Sequence, residues 1–389
     1  MPRPTYEVAD IFRQQGPRYR AHHRLPPYQL RLMRAIELCR TAALGGHVER
    51  CGHCTHQRIS YNSCRNRHCP KCQNLARAKW LEQRKNELLP IDYYHVVFTI
   101  PEPLNALALQ NKALFYRLLF EISAATLQTI AADPKHLGAQ IGFFSILHTW
   151  GQKLLFHPHI HCVATGGGIS PDGQRWIACR PGFFLSVRVL SRLFRRLFLE
   201  ALAKAFRKKQ CQFHGQLLAL STTAAFHAFL APWRKVEWVV YAKPPFGGPA
   251  HVLEYLGRYT HRVALTNQRL LSISPRHVTF QYKDYRAHGH QKSRQMTIAP
   301  DEFIRRFLLH SLTPGFTRIR HYGLFASRGK KNNLLRARQL LDAIPTGLLP
   351  SRAELSSCLP VLLAAVLRCP VCTVGIMVRS EILPRLDSS

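Results

Sequence analysis

Residues 47 to 73 carry cysteine and histidine with little apolar content, so a metal has to organise them into a fold. Six of the chain's twelve cysteines fall between Cys39 and Cys72. No apolar signal core precedes them, and C-x2-C pairs in such a setting point to metal rather than disulfides. Cys51-x2-Cys54 and Cys69-x2-Cys72 have zinc-ribbon spacing, each pair forming a knuckle and the two closing a tetrahedral thiolate site. The expectation is a small zinc-ribbon-like domain with structural Zn²⁺ on Cys51, Cys54, Cys69 and Cys72. Cys39, His47, Cys64 and His68 lie nearby and offer a second zinc site. Cys369-x2-Cys372 supplies only half a site, with Cys358 nearby, and receives no role.

Charge narrows the partner. Lysine and arginine number 55 against 21 aspartates and glutamates, a net +34 spread along all 389 residues. Such an excess repels itself without counter-charge, so the partner expected is nucleic acid. The longest apolar run, Leu359 to Leu367, is far below a bilayer span of about 20 residues. A soluble, cytoplasmic protein is expected, with no membrane partner.

The periodicities give an α+β chain, a sheet of mostly buried strands with helices behind a metal module. Residues 1–25, rich in arginine and proline, read as a loosely held basic arm. Helices are expected over 27–43, 74–89, 107–132, 187–208, 251–261 and 302–310. Strands are expected over 93–100, 141–150, 159–164, 236–242, 270–273 and 278–282. Gly166-Gly167-Gly168 reads as a turn that ends a strand. The resulting division is 1–25 arm, 26–90 zinc-binding and DNA-binding domain, 91–330 catalytic domain with a helical insertion at about 180–230, and 331–389 tail.

Two constellations carry chemistry. In His157-Pro158-His159-Ile160-His161, strand alternation puts His159 and His161 on one face, where two imidazoles suit a divalent metal. In Tyr255-x3-Tyr259 a helix would stack two phenols on one face. A metal with paired tyrosine hydroxyls in a very basic chain describes cleavage of a phosphodiester with retention of the end. For a third ligand, the amide oxygen of Gln152 is preferred over His157, whose strand Pro158 would distort.

Together these features resemble the HUH endonucleases, and among them the two-tyrosine rolling-circle transposases of the insertion-sequence-91 family. The segments that carry the resemblance are CRTAALGGHVERCGHC (39–54), YNSCRNRHCPKCQ (61–73) and HTWGQKLLFHPHIHCVATGGG (148–168). YLGRYTHRVALTN (255–267), FQYKDYR (280–286) and FIRRFLLHSLTPGFTRIRHYGLFA (303–326) complete the set, so most of the chain is covered. The resemblance implies a ferredoxin-like or RRM-like antiparallel sheet and an activity on single-stranded DNA, in a bacterial, nucleoid-associated protein. It implies catalytic Mg²⁺ or Mn²⁺ on His159 and His161, and Tyr255 or Tyr259 attacking phosphorus to leave a 5′-phosphotyrosine. Arg258 and Arg262 would assist the phenols. Arg65, Arg67, Lys71, Lys283, Arg305, Arg306, Arg318 and Arg320 are expected to face DNA.

Three rival readings stay open on the residues alone. A carboxylate-cluster transposase needs three converging acids, but the few present, such as Asp133, Asp172 and Asp301, sit in turn-like contexts. A tyrosine recombinase would work without metal. A zinc-dependent DNA-binding protein without catalysis leaves the histidine and tyrosine pairs unused.

Overall fold

The computed structural model describes residues 4–72, 81, 87–243, 264–284, 293–342 and 368–386. At its centre is an antiparallel sheet built from β-branched and aromatic runs. Its main strands are β3 (Tyr93–Thr99), β4 (Gln140–Trp150), β5 (Phe156–Ile169), β7 (Val240–Lys243) and β11 (Ile319–Gly323). They lie in the order β11-β4-β5-β3-β7, and the short β6 (Trp176–Ala178) pairs with β5. Alternation divides each strand between two faces. Val96, Phe98, Phe143, Leu147, Ile160, Cys162 and Ala164 form the face packed under two long helices, Lys112–Ala132 and Val187–Arg207. Tyr93, Phe144, Ile146 and Val163 form the other face, with Leu334, Ala337 and Leu341 of the helix Lys330–Asp342. The same face continues into His95, His148 and His161.

A second core joins distant parts of the chain. Val8, Ile11 and Phe12 of α1 (Val8–His22) and Leu32, Met33 and Ile36 of α2 (Pro27–Glu37) meet Phe303, Ile304 and Phe307 of helix Pro300–Leu309. The same core takes Val278 and Phe280 from β9 (Val278–Lys283), the middle strand of a three-stranded sheet. Its neighbours are β8 (Leu270–Ile273) and β10 (Ser293–Ile298). A third sheet has the order β12-β1-β2, from β1 (Gly46–Cys51), β2 (Gln57–Tyr61) and β12 (Met377–Leu383).

Several expectations change. The basic arm is helix α1, closed at its start by a capping box between Glu7 and Asp10, and its apolar positions fill the second core. The tail supplies most of the helix that packs on the central sheet, and its β12 joins the sheet of β1 and β2. Gly166 to Gly168 do not end the strand: β5 runs through them, and the glycines let neighbouring backbones close in. A Cβ on Gly168 would collide with the Gln140 carbonyl, and Gly167 has φ +154. The long helix expected over 107–132 breaks at Asn111. That side chain donates to Leu107 and Gln212 oxygens and accepts from Gln212 N–H. Strand β10 has no counterpart in the sequence reading. The helices expected at 74–89 and 251–261 lie mostly or wholly outside the described residues. Among the described residues, no helix is long and apolar enough to cross a membrane.

Candidate functional site

His159 and His161 emerge from β5 on the predicted face. The third imidazole beside them comes from β4, where His148 pairs in register with His159 and Ile146 with His161. One nitrogen from each of His148, His159 and His161 lies within 4.8 Å of the others, close enough for one ion to take all three. The rings of His148 and His161 are 4.4 Å apart, and Trp150 stacks on His148 at 4.8 Å. The β4–β5 register shifts between His148 and Trp150, opposite Pro158. A bulge there tolerates a residue without a ladder N–H and re-aims the side chains at the sheet's end.

The nitrogens that would face away from an ion are engaged. His159 Nδ1 donates to the His157 carbonyl at 2.7 Å. His161 Nδ1 lies 2.8 Å from His95 Nε2 on β3. Burial holds the His95 imidazole well below its usual range, at about 4, so it is neutral and can accept from His161 Nδ1–H. Ligation at both His159 and His161 then falls to Nε2, the arrangement in which a partner fixes ring and tautomer. Sequence reasoning missed His148 and His95. Both belong to strands recognised as such, but cross-strand register is not written in either strand alone.

Gln152, the preferred third ligand, makes its hydrogen bonds to the segment around β8 and β9. It sits in the turn between β4 and β5, which is held down on the second core. Gln152 Oε1 accepts from Lys283 N–H at 3.4 Å and its carbonyl from Arg269 at 2.6 Å. Leu154 is fully buried there at φ +58, and Arg306 donates to the Lys153 carbonyl. His157 contributes its carbonyl to His159, and its side chain is not one of the three that converge.

His310 braces the same turn. Its Nε2 lies 3.0 Å from the Leu154 carbonyl and its Nδ1 3.2 Å from Thr149 Oγ1. Burial drives its pKa down to about 3, against about 6.5 for an unfolded chain. Below pH 6.5 the unfolded state therefore binds a proton that the folded state refuses. Stability from this group is complete above pH 6.5 and is lost as pH falls towards 3. The slope is up to about 1.4 kcal/mol per pH unit. Urea melts at pH 7.5 and 5.5 should show a smaller difference for His310→Asn than for wild type; equal differences would refute the assignment.

The cysteines regroup. Cys39, Cys64, Cys69 and Cys72 form one buried cluster, and Cys51, Cys54, Cys369 and Cys372 form another. In the first, Cys39 and Cys64 Sγ lie 3.4 and 3.5 Å from Cys72 Sγ. A tetrahedral site with Zn–S of about 2.3 Å separates sulfurs by about 3.8 Å, so the donors fit. The expected set Cys51, Cys54, Cys69 and Cys72 is thus split between two places. Strand β1 carries Cys51 and Cys54 away from the end of α2, where Cys39 meets the Cys69-x2-Cys72 knuckle. His47 and His68 join neither cluster. His47 Nε2 pairs with Glu49 at 3.1 Å, and His68 Nε2 accepts from Leu312 N–H at 3.2 Å.

Comparison with known proteins decides the family. Residues 142–333 match a family model described as "Putative transposase", and residues 11–100 one described as "Transposase zinc-binding domain", the insertion-sequence-91 type. The chain is 59% identical over 389 residues to the putative transposase y4qJ of Sinorhizobium fredii, covering 98% of this chain and 96% of that one. This chain belongs to the insertion-sequence-91 family of transposases. It is also 28% identical over 303 residues to the transposase for insertion sequence element IS801 of Pseudomonas savastanoi pv. phaseolicola, across 75% of this chain and 68% of that one. No solved structure matches it. The transposase is thus an enzyme acting on DNA with an N-terminal zinc-binding domain, and the Cys39 cluster lies within the matched zinc-binding segment.

Its arginines divide by environment. Arg67 is committed to structure, donating to the Phe316 and Thr313 carbonyls at 2.6 and 3.2 Å and so tying the thiolate knuckle to the loop before β11. Lys71 pairs with Glu7 and donates to the Cys39 carbonyl. Arg305 and Arg306 share Glu302, which they hold down to about 2. Arg318 sits over the Trp150 ring at 5.2 Å, and Arg320 over Phe120 at 4.2 Å. Arg65 and Lys283 are exposed. Arg318 thus reaches towards the histidines through the Trp150 ring, which also stacks on His148. Tyr255, Arg258, Tyr259 and Arg262 lie outside the described residues.

Proposed function

We propose that this transposase nicks and rejoins single-stranded DNA through a 5′-phosphotyrosine, moving its element by a rolling-circle route at the bacterial nucleoid. The observation that carries the reading is the convergence of His148, His159 and His161 at one end of the sheet. They would hold a divalent ion, Mn²⁺ or Mg²⁺, with the all-imidazole donor set favouring Mn²⁺ over the harder ion. When bound, that ion polarises a non-bridging phosphate oxygen and stabilises developing negative charge.

The remaining chemistry belongs to the chain. A Tyr255 or Tyr259 oxygen attacks phosphorus, the bond to the 3′ oxygen breaks, and that oxygen leaves as a 3′-hydroxyl. The ester keeps the bond energy, so a later attack by another 3′-hydroxyl rejoins strands without ATP. A phenol with pKa near 10 needs cationic help at neutral pH, the role given to Arg258 and Arg262. The flanks of the tyrosine segment support the assignment. Lys243 pairs in register with His95, and Ala264 and Leu265 are buried in the second core, which also takes Leu154 of the β4–β5 turn. The boundary at Lys243 thus lies opposite His95, which hydrogen bonds His161. Exposed cations such as Arg65 and Lys283 would hold phosphates.

The test is a denaturing gel of labelled single-stranded oligonucleotides spanning the element's ends. Wild type should yield a covalent adduct that chelation prevents. Tyr255→Phe/Tyr259→Phe should yield none, because Phe keeps the ring and removes only the nucleophilic oxygen. Each single variant should lose transposition, since strand exchange needs two attacks. An undiminished adduct from the double variant would overturn the proposal.

A further inference from the structure

Cys51-x2-Cys54 and Cys369-x2-Cys372 are separated by more than 300 residues, yet their four thiols meet. Cys51 Sγ lies 3.6 Å from Cys372 Sγ, and Cys54 Sγ 3.7 Å from Cys369 Sγ, close to the spacing of about 3.8 Å in a tetrahedral zinc thiolate. Neither pair is placed as for a disulfide, whose sulfurs sit about 2.0 Å apart. Backbone amides point at the sulfurs: His53 and Cys54 N–H donate to Cys51, Val371 N–H to Cys369 and Gly375 N–H to Cys372. Such donors stabilise thiolates rather than thiols. A Cβ at Gly375 would run into Cys51 Sγ, so the backbone turns closely around the cluster.

We infer that Cys51, Cys54, Cys369 and Cys372 form a second structural zinc site, which clamps the C-terminal hairpin onto the N-terminal zinc-binding domain. Strand β12 pairs with β1 over six registered positions, from Gly46↔Leu383 to Cys51↔Met377. Among the described residues little else holds it. Most of β12 is exposed, and the local cluster of buried residues is Cys51, Cys369 and Met377, two of them thiols. So small an apolar core cannot offset the entropy of ordering a hairpin, whereas a structural zinc supplies that free energy directly. The residues matched by the zinc-binding family model end at 100, so half of this site lies outside that domain.

The test uses the full-length protein and metal analysis. Wild type should carry two zinc ions per chain. Cys51→Ser, Cys369→Ser and the Cys51→Ser/Cys369→Ser double variant should each carry one, because both residues serve the same ion. Cys64→Ser should lose the other ion. In the Cys369→Ser protein, β12 amides should exchange hydrogen quickly while those of β4 and β5 stay protected, which also shows that the variant is folded. Alkylation of the native wild type should spare Cys369 and Cys372 until a chelator is added. One zinc in the wild type, two retained in Cys369→Ser, an additional loss in the double variant, or a Cys51–Cys372 disulfide in the isolated protein would each overturn the inference.

Discussion

His148→Ala is expected to abolish metal-dependent strand cleavage while leaving oligonucleotide binding nearly unchanged. Two imidazoles then remain where three converged, and the loss of turnover should exceed about 10²-fold, the scale for removing one preorganised electrostatic partner. Binding survives because phosphate contacts come from cations elsewhere. A comparison with His95→Gln sharpens the result. Among the described residues, His95 contacts His161 Nδ1 and so acts through that ring, as a positioning residue. Its loss should weaken metal affinity by about 10- to 100-fold. Excess Mn²⁺ should restore turnover to His95→Gln but not to His148→Ala. Full activity in His148→Ala would remove the three-histidine site. An activity in His95→Gln that is lowered but insensitive to added metal would show that His95 acts only through packing.

The second large effect concerns the Cys39, Cys64, Cys69 and Cys72 cluster. Replacing Cys39 or Cys64 by Ser should release one zinc ion and strongly lower the melting temperature, since thiolate zinc contributes apparent folding free energies of about 10 kcal/mol or more. The damage should spread. Cys39, Cys69 and Cys72 share a core with α1, α2 and the helix Pro300–Leu309, and Arg67 ties the knuckle to the loop before β11. His47→Ala and His68→Ala should retain all zinc. Thermal unfolding with metal analysis on the same samples checks both halves; a zinc-replete, wild-type melt for Cys64→Ser would refute the grouping.

Patterns with a short range were legible in the sequence. Alternation along β3, β4 and β5, the amphipathic helices and the identity of His159 and His161 all follow from local periodicity. What could not be read was who meets whom across space. C-x2-C spacing shows that a knuckle forms but not which other knuckle it joins, and Cys51 and Cys54 meet Cys369 and Cys372 rather than their sequence neighbours. His148 was hidden for a related reason. Its strand was evident, but its place opposite His159 depends on a register set by the turn and by the bulge near Pro158. Gln152 has a chemically suitable amide close in sequence, but its surroundings are not local. The turn that carries it is instead pinned by Arg269, Arg306 and His310, which come from distant segments.

The pairing of β1 with β12 has a consequence for synthesis. A ribosome releases residues 46–51 long before residues 377–383 exist, so the nascent protein carries a naked edge on β1 while more than 300 residues are added. Closing a loop of that size is slow compared with forming the local hairpin β1–β2, and an open edge in the meantime invites pairing with another chain. Messages broken or stopped early would yield products that never seal this edge. Strand β12 thus seals the N-terminal sheet only after residues 377–383 have been made.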